Sequence, residues 1–109
     1  MLERKFIYNF RRQSLDREKI KGYLNISRKA GYLIIGGETL EDYKKKLFLV
    51  LFDNSAGLST LKIVDKIKAR GIHVVGIESL GDLCAIPTCK IVGIKNKNIS
   101  EIIESLINE

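Results

Sequence analysis

Leu47-Phe48-Leu49-Val50-Leu51-Phe52 is the longest unbroken apolar run in the chain. A strand with one wet face alternates apolar and polar residues, so a run without alternation marks a strand covered on both faces. The run falls far short of the roughly 18 apolar residues that a membrane helix needs. A strand of this kind requires helices above and below it. It is bounded by Lys44-Lys45-Lys46 on one side and by the polar turn Asp53-Asn54-Ser55-Ala56-Gly57 on the other.

Downstream, Ser59 or Thr60 caps a helix running through Arg70, with Leu61, Val64 and Ile67 at core spacing and Gly71 as its stop. His73-Val74-Val75-Gly76-Ile77 reads as a strand. A short helix runs from Ser79 to about Ala85 and is stopped by Pro87. Lys90-Ile91-Val92-Gly93-Ile94 is a further strand. Asn98 and Glu101 resemble a capping box ahead of Ile99, Ile102, Ile103, Leu106 and Ile107, an amphipathic final helix.

Upstream, Asp16 and Glu18 favour a helix start, and Ile20, Leu24, Ser27 and Ala30 share a face up to the stop at Gly31. Tyr32-Leu33-Ile34-Ile35 is a short strand ending in Gly36-Gly37. Glu38 to Lys46 reads as a second, highly charged helix. Helices and strands alternating in this way imply an α/β fold, a three-layer α/β/α sandwich around a four-stranded mixed sheet. The first fifteen residues form a basic and aromatic extension (Arg4, Lys5, Phe6, Tyr8, Phe10, Arg11, Arg12), and residues 16–109 form one domain.

A chain of 109 residues, 45% hydrophobic and 29% charged, has the composition of one globular domain and not of a disordered chain. No signal peptide is evident at the start, which suits a cytoplasmic location. The net charge of +6 lies wholly in residues 1–46, and residues 47–109 balance to zero. Such asymmetry suits a polyanionic partner, because neutralised phosphates release counterions; it also suits a merely soluble surface. Cys84 and Cys89 lie five apart, outside the spacing of a redox or zinc pair, and read as small apolar fillers. His73 has no nucleophile at motif spacing, so the residues give no sign of catalysis, metal or cofactor.

The stretch Leu24-Asn25-Ile26-Ser27-Arg28-Lys29-Ala30-Gly31-Tyr32-Leu33 resembles the opening of the kink-turn RNA-binding ribosomal proteins. That is the family of archaeal protein L-seven-Ae and its bacterial YlxQ-like relatives. The likeness continues through the glycines after the first strand, the apolar strand ending in Asp53, Asp65-Lys66, and Ser79-Leu80-Gly81-Asp82. It spans about residues 19–109. It implies the same sandwich, no catalysis, and RNA held by the start of the second helix and by the loop before the last strand. Gly36-Gly37-Glu38-Thr39-Leu40-Glu41 stands at that helix start and agrees with the YlxQ-like branch. It lacks the Asn-Glu pair and lysine of tight kink-turn binders, so general RNA binding is what the resemblance implies.

Gly36 and Gly37 permit close approach of a nucleic-acid backbone, or simply make a strand-to-helix turn. Glu38 and Thr39 offer hydrogen bonds to bases, although Glu38 also favours the helix dipole. Arg28 and Lys29 close the first helix, where they serve its C-terminus, a phosphate, or both. Lys44, Lys45 and Lys46 are phosphate contacts, or gatekeeper charges beside an aggregation-prone strand. Ile86 corresponds to the apolar side chain that relatives lay against a splayed base, or it packs in the core. Ala85 stands where the family usually has glycine, which predicts a different loop path.

Three functions follow for comparison. The first is a small non-catalytic RNA-binding protein, associated with the ribosome or another structured RNA. The second is a protein-binding scaffold on the same fold. The third is an enzyme on an α/β scaffold, such as a small phosphotransfer or nucleotide-binding domain, with Asp53 at a strand end where such folds place chemistry.

Overall fold

In the computed structural model, which describes residues 17–108, the apolar run becomes a central strand over Leu49–Asp53. The elements in chain order are α1 (17–29), β1 (Leu33–Ile35), α2 (Gly37–Asp42), β2 (Leu49–Asp53), α3 (Leu58–Ala69), β3 (Val74–Ile77), α4 (Leu80–Leu83), β4 (Ile91–Ile94) and α5 (Lys97–Asn108). The strands form one mixed sheet in the order β1-β4-β2-β3. β4 runs antiparallel to both β1 and β2, while β2 and β3 are parallel and joined through α3. The extension expected over residues 1–15 lies outside the described residues.

The unbroken run is explained by what covers it. Leu49 and Leu51 face a core shared with Ile20 and Leu24 of α1, Leu80 and Leu83 of α4, and Ile103 and Leu106 of α5. Val50, between them, faces the opposite core with Leu40 of α2 and Val64 and Ile67 of α3. The result is an α/β/α sandwich with α1, α4 and α5 on one face and α2 and α3 on the other. Burial of each such aliphatic side chain contributes roughly 1.5–3 kcal/mol. Gly93 sits in the middle of β4 because Leu40 lies on it: a Cβ there would meet Leu40 Cδ2 at 2.5 Å.

Several boundaries differ from the pattern reading, and four of them have a local reason. The second helix ends at Asp42 rather than Lys46. Carried further, it would put Lys44 and Leu47 on the same buried face as Leu40. Unwinding at the extended Tyr43 lets Leu47 enter the core while Lys44, Lys45 and Lys46 stay in water. The third helix starts at Leu58 from Gly57, without a side-chain cap from Ser59 or Thr60. In α5 the cap is Asn96 rather than Asn98: its Oδ1 accepts the Ile99 amide at 2.9 Å. Ser79 is left-handed (φ 50°) and precedes α4 instead of opening it.

Candidate functional site

The ends of β1, β2 and β3 and the start of β4 lie at one end of the sheet. There the Gly36 amide donates to the Ile91 carbonyl at 3.1 Å, the Asp53 amide to Lys90 at 2.8 Å, and the Asn54 amide to Ile77 at 2.9 Å. Gly36 takes φ 99° and ψ 143°, a conformation open essentially to glycine alone, as the chain turns from β1 into α2. Glu38 and Thr39 are exposed on the first turn of α2.

Two strands across, roughly 10 Å at the usual strand spacing, a polar cleft of about 440 Å³ opens. It is lined by the loops after β2 and β3, by α4, and by Pro87 and Lys90 of the loop before β4. Glu78 and Asp82 bring carboxylates to its lining and Lys90 an ammonium, whereas the Asn54 side chain lies over Gly76 of β3 beside Phe52, on the α2–α3 face. Lys90 Nζ reaches Ser55 Oγ at 3.3 Å. Arg17 of α1 holds the cleft's outer loop, donating to the carbonyls of Glu78 at 2.6 Å and Ser79 at 3.2 Å.

Asp53 organises this end. Its Oδ1 accepts from the Ser55 amide at 2.8 Å and hydroxyl at 2.6 Å, and its Oδ2 accepts from the Leu80 amide at 3.0 Å. The carboxylate therefore braces the turn after β2 and caps α4 from another strand. The Ser55 hydroxyl and amide, with the Leu80 amide behind them, hold its pKa below the ordinary carboxylate value against the opposing effect of burial. Both oxygens are engaged, so the side chain acts as a joint in the fold.

The α4–β4 loop rests on Gly81. A Cβ at that glycine would meet the Pro87 carbonyl at 2.7 Å and the Ile86 carbonyl at 2.9 Å, and the Ile86 amide donates to Gly81 at 3.0 Å. Ala85 has φ 59°, so the chain takes at alanine a path that glycine takes without strain. Ile86 is half-buried and packs against the core of α1, α4 and α5. Cys84 and Cys89, at either end of the loop, are both buried. Cys84 Sγ donates to the Leu80 carbonyl at 3.2 Å and Cys89 Sγ to the Ile91 carbonyl at 3.6 Å. The neighbouring Cys89 thiol, outweighing burial, lowers the Cys84 pKa to about 7, with the charge of Arg28 assisting. The same pairing with Cys84, and burial after it, push Cys89 up.

The expected residues thus divide. Gly36, Gly37, Glu38, Thr39 and Ile86 gather at the cleft end, and Arg28 is close enough to act on Cys84 beside the Ile86 loop. Lys44, Lys45 and Lys46 do not join them. They follow α2 toward the opposite end, where Phe48 donates to Ile94, three residues along β4 from the partner of Gly36. Three residues of strand span roughly 10 Å. Lys29 closes α1 just before Tyr32, whose carbonyl accepts from Lys95 at that same far end. Glu78, Asp82 and Lys90 are cleft residues that the sequence pattern did not single out. Among the described residues no group of His, Cys, Asp or Glu is placed to hold a metal ion, and no helix is long and apolar enough to cross a membrane.

No family model matches the chain, and no curated protein does. Among solved structures, the chain is similar to a protein of unknown function from Bacillus halodurans, with TM-score 0.74 and 25% identity over 84% of this chain and 98% of that one. It is also similar to the Giardia lamblia 15.5kD RNA binding protein, with TM-score 0.62 and 17% identity over 88% of this chain and 85% of that one. The described sandwich is therefore an architecture that solved proteins share over most of the chain.

Proposed function

We propose that this chain is a small non-catalytic RNA-binding protein that reads structured RNA, of ribosomal or similar kind, with the cleft end of its sheet. One observation carries the reading. On a fold it shares with an RNA-binding protein, the glycine turn at Gly36–Gly37, the Ile86–Pro87 loop and a polar cleft open at the same end of the sheet. The chemistry of that end suits bases more than phosphates. Glu38, exposed at the start of α2, and Glu78 and Asp82 of the cleft are acceptors for the amino and imino hydrogens of guanine, adenine or cytosine, and Lys90 is a donor for ring carbonyls. A base must leave its helix to reach such a cleft, so unpaired loop nucleotides are the natural targets.

The experiment is fluorescence anisotropy with an RNA hairpin that carries a purine-rich internal loop, against the same hairpin fully paired. The wild-type chain should prefer the loop. Glu78→Ala and Glu38→Ala should each weaken that preference by about tenfold, the scale of one good base contact. Equal affinity for both hairpins, or an unchanged preference in both variants, removes the reading. Leu58 and Leu61, exposed on α3, favour a protein-binding scaffold as the second reading. In that case Leu58→Glu abolishes capture of a protein partner and leaves RNA affinity untouched.

A further inference from the structure

The far end of the sheet, where β1 and β2 begin and β4 finishes, carries most of the lysines that the cleft lacks. Lys45 and Lys46 lead into β2, and Lys95 and Lys97 leave β4; all but the half-buried Lys95 are exposed. The backbone ties the two segments together, because the Phe48 amide donates to the Ile94 carbonyl at 3.0 Å. Lys46 Nζ lies 5.3 Å from the centroid of the Phe48 ring, and Lys95 Nζ 5.9 Å from that of Tyr43.

Two features set this end apart from an ordinary solvated surface. Phe48 is half-buried yet packs into neither core, so its ring stays at the surface without serving the interior. Lys97 begins α5 with no acidic residue in the first turn, so its charge adds to the positive end of a twelve-residue helix. Of the two acids that close α2, Glu41 is held by Lys66 of α3 at 2.5 Å, which leaves Asp42 beside the cluster, and Glu101 stands one turn along α5 from Lys97. Among the described residues no ion pair engages Lys45, Lys46, Lys95 or Lys97.

We propose that this basic-aromatic end is a second contact surface, for single-stranded RNA that runs on from the segment held at the cleft. The inference rests on the RNA-binding reading above. Lys45, Lys46, Lys95 and Lys97 would neutralise successive phosphates. Phe48, now lying beneath the Lys46 ammonium, would stack a base as that ammonium turns to the backbone, while Tyr43, packed against the core of α2 and α3, keeps Lys95 beside it. The aromatic rings among the lysines favour a nucleic acid over an anionic lipid surface, which offers nothing to stack.

The test uses the whole chain and fluorescein-labelled dodecauridylate, with affinity measured across a salt series. The triple variant K45E/K46E/K95E should bind at least tenfold more weakly. The slope of log affinity against log salt should shrink by about 2, from roughly 0.7 for each lost single-strand phosphate contact. K45Q/K46Q/K95Q should show the same loss of slope without introducing new charge. Phe48→Leu should weaken binding while leaving the slope alone. An unchanged slope in both triple variants overturns the inference, as does a wild-type chain that ignores dodecauridylate. So does a loss in the triple variants confined to phosphatidylserine vesicles. A chain that binds dodecauridylate through these lysines but does not prefer the loop hairpin keeps this surface and loses the cleft reading. The reverse result keeps the cleft and loses the surface.

Discussion

Replacing Asp53 tests the architecture of the cleft end most directly. Three hydrogen bonds converge on its carboxylate, from the Ser55 amide, the Ser55 hydroxyl and the Leu80 amide. Ser55 is exposed, so its two donors find water once the carboxylate is gone; the Leu80 amide is buried and does not. An orphaned buried donor costs about 1–3 kcal/mol, and loss of the Ser55 lock adds a smaller amount. Asp53→Ala should therefore destabilise the domain by roughly 2–4 kcal/mol. For a domain of this size that is a fall in Tm of about 10–25 °C. Asp53→Asn keeps the shape and one acceptor, and should cost roughly half as much. The pH dependence follows from the depressed folded pKa. Protonation destabilises the native state, so the stabilisation is complete above the unfolded carboxylate value near ~4 and is lost as pH falls through the lower folded one. Thermal melts followed by circular dichroism, from neutral pH into the acid range, should show this loss in the wild type and little of it in Asp53→Asn. An Asp53→Ala protein that melts within about 3 °C of the parent, with the same acid profile, refutes the reasoning.

Two other predictions concern the α4–β4 loop. Ala85 holds φ 59°, where a Cβ costs about 1–2 kcal/mol and glycine gives back less than that in chain entropy. Ala85→Gly should therefore raise the midpoint of urea unfolding by the equivalent of about 0.5–1 kcal/mol, and a lowered midpoint contradicts the assigned conformation. For Cys84, with its pKa lowered to about 7 mainly by Cys89, the ultraviolet absorbance of the thiolate should rise through about 7. Cys89→Ala should return that rise toward the ordinary thiol range near ~8.5. Because the folded value is the lower one, the associated stability is present above the unfolded value and is lost as pH falls through about 7.

How much of this was legible in the sequence depends on the range of the interaction. The unbroken run at Leu47–Phe52 fixed a doubly covered strand, and the spacing of Ile99, Ile103 and Leu106 fixed a final helix, since both are patterns of period and burial. The end of α2 was not legible from its charges. Lys44 is a good helix residue on propensity, and only the position of Leu40 under the sheet makes its next helical position forbidden. Asp53 looked like the end of a strand with a free carboxylate. Its bond to Leu80 joins residues 27 apart in sequence and exists only once β2 and β3 lie side by side. The candidate site failed to hold together for a related reason. Lys44 is eight residues from Gly36 in sequence, but α2 intervenes and carries the chain the length of the sheet.

That separation changes what the positive charge means. A count of +6 in the whole chain, or in its first half, says nothing of where a polyanion is met. At the cleft, Glu78 and Asp82 offset Lys90 and Arg17, so a phosphate approaching there meets no excess of positive charge. A base edge with amino hydrogens meets complementary partners. At the far end lysines prevail. β4 joins the two ends, and all four of its residues are buried between the two helical layers. One short buried strand thus sets the spacing between a mixed polar end and an end rich in lysines. In such an arrangement selectivity and affinity come from different residues, because the groups that discriminate bases are not the groups that salt screens.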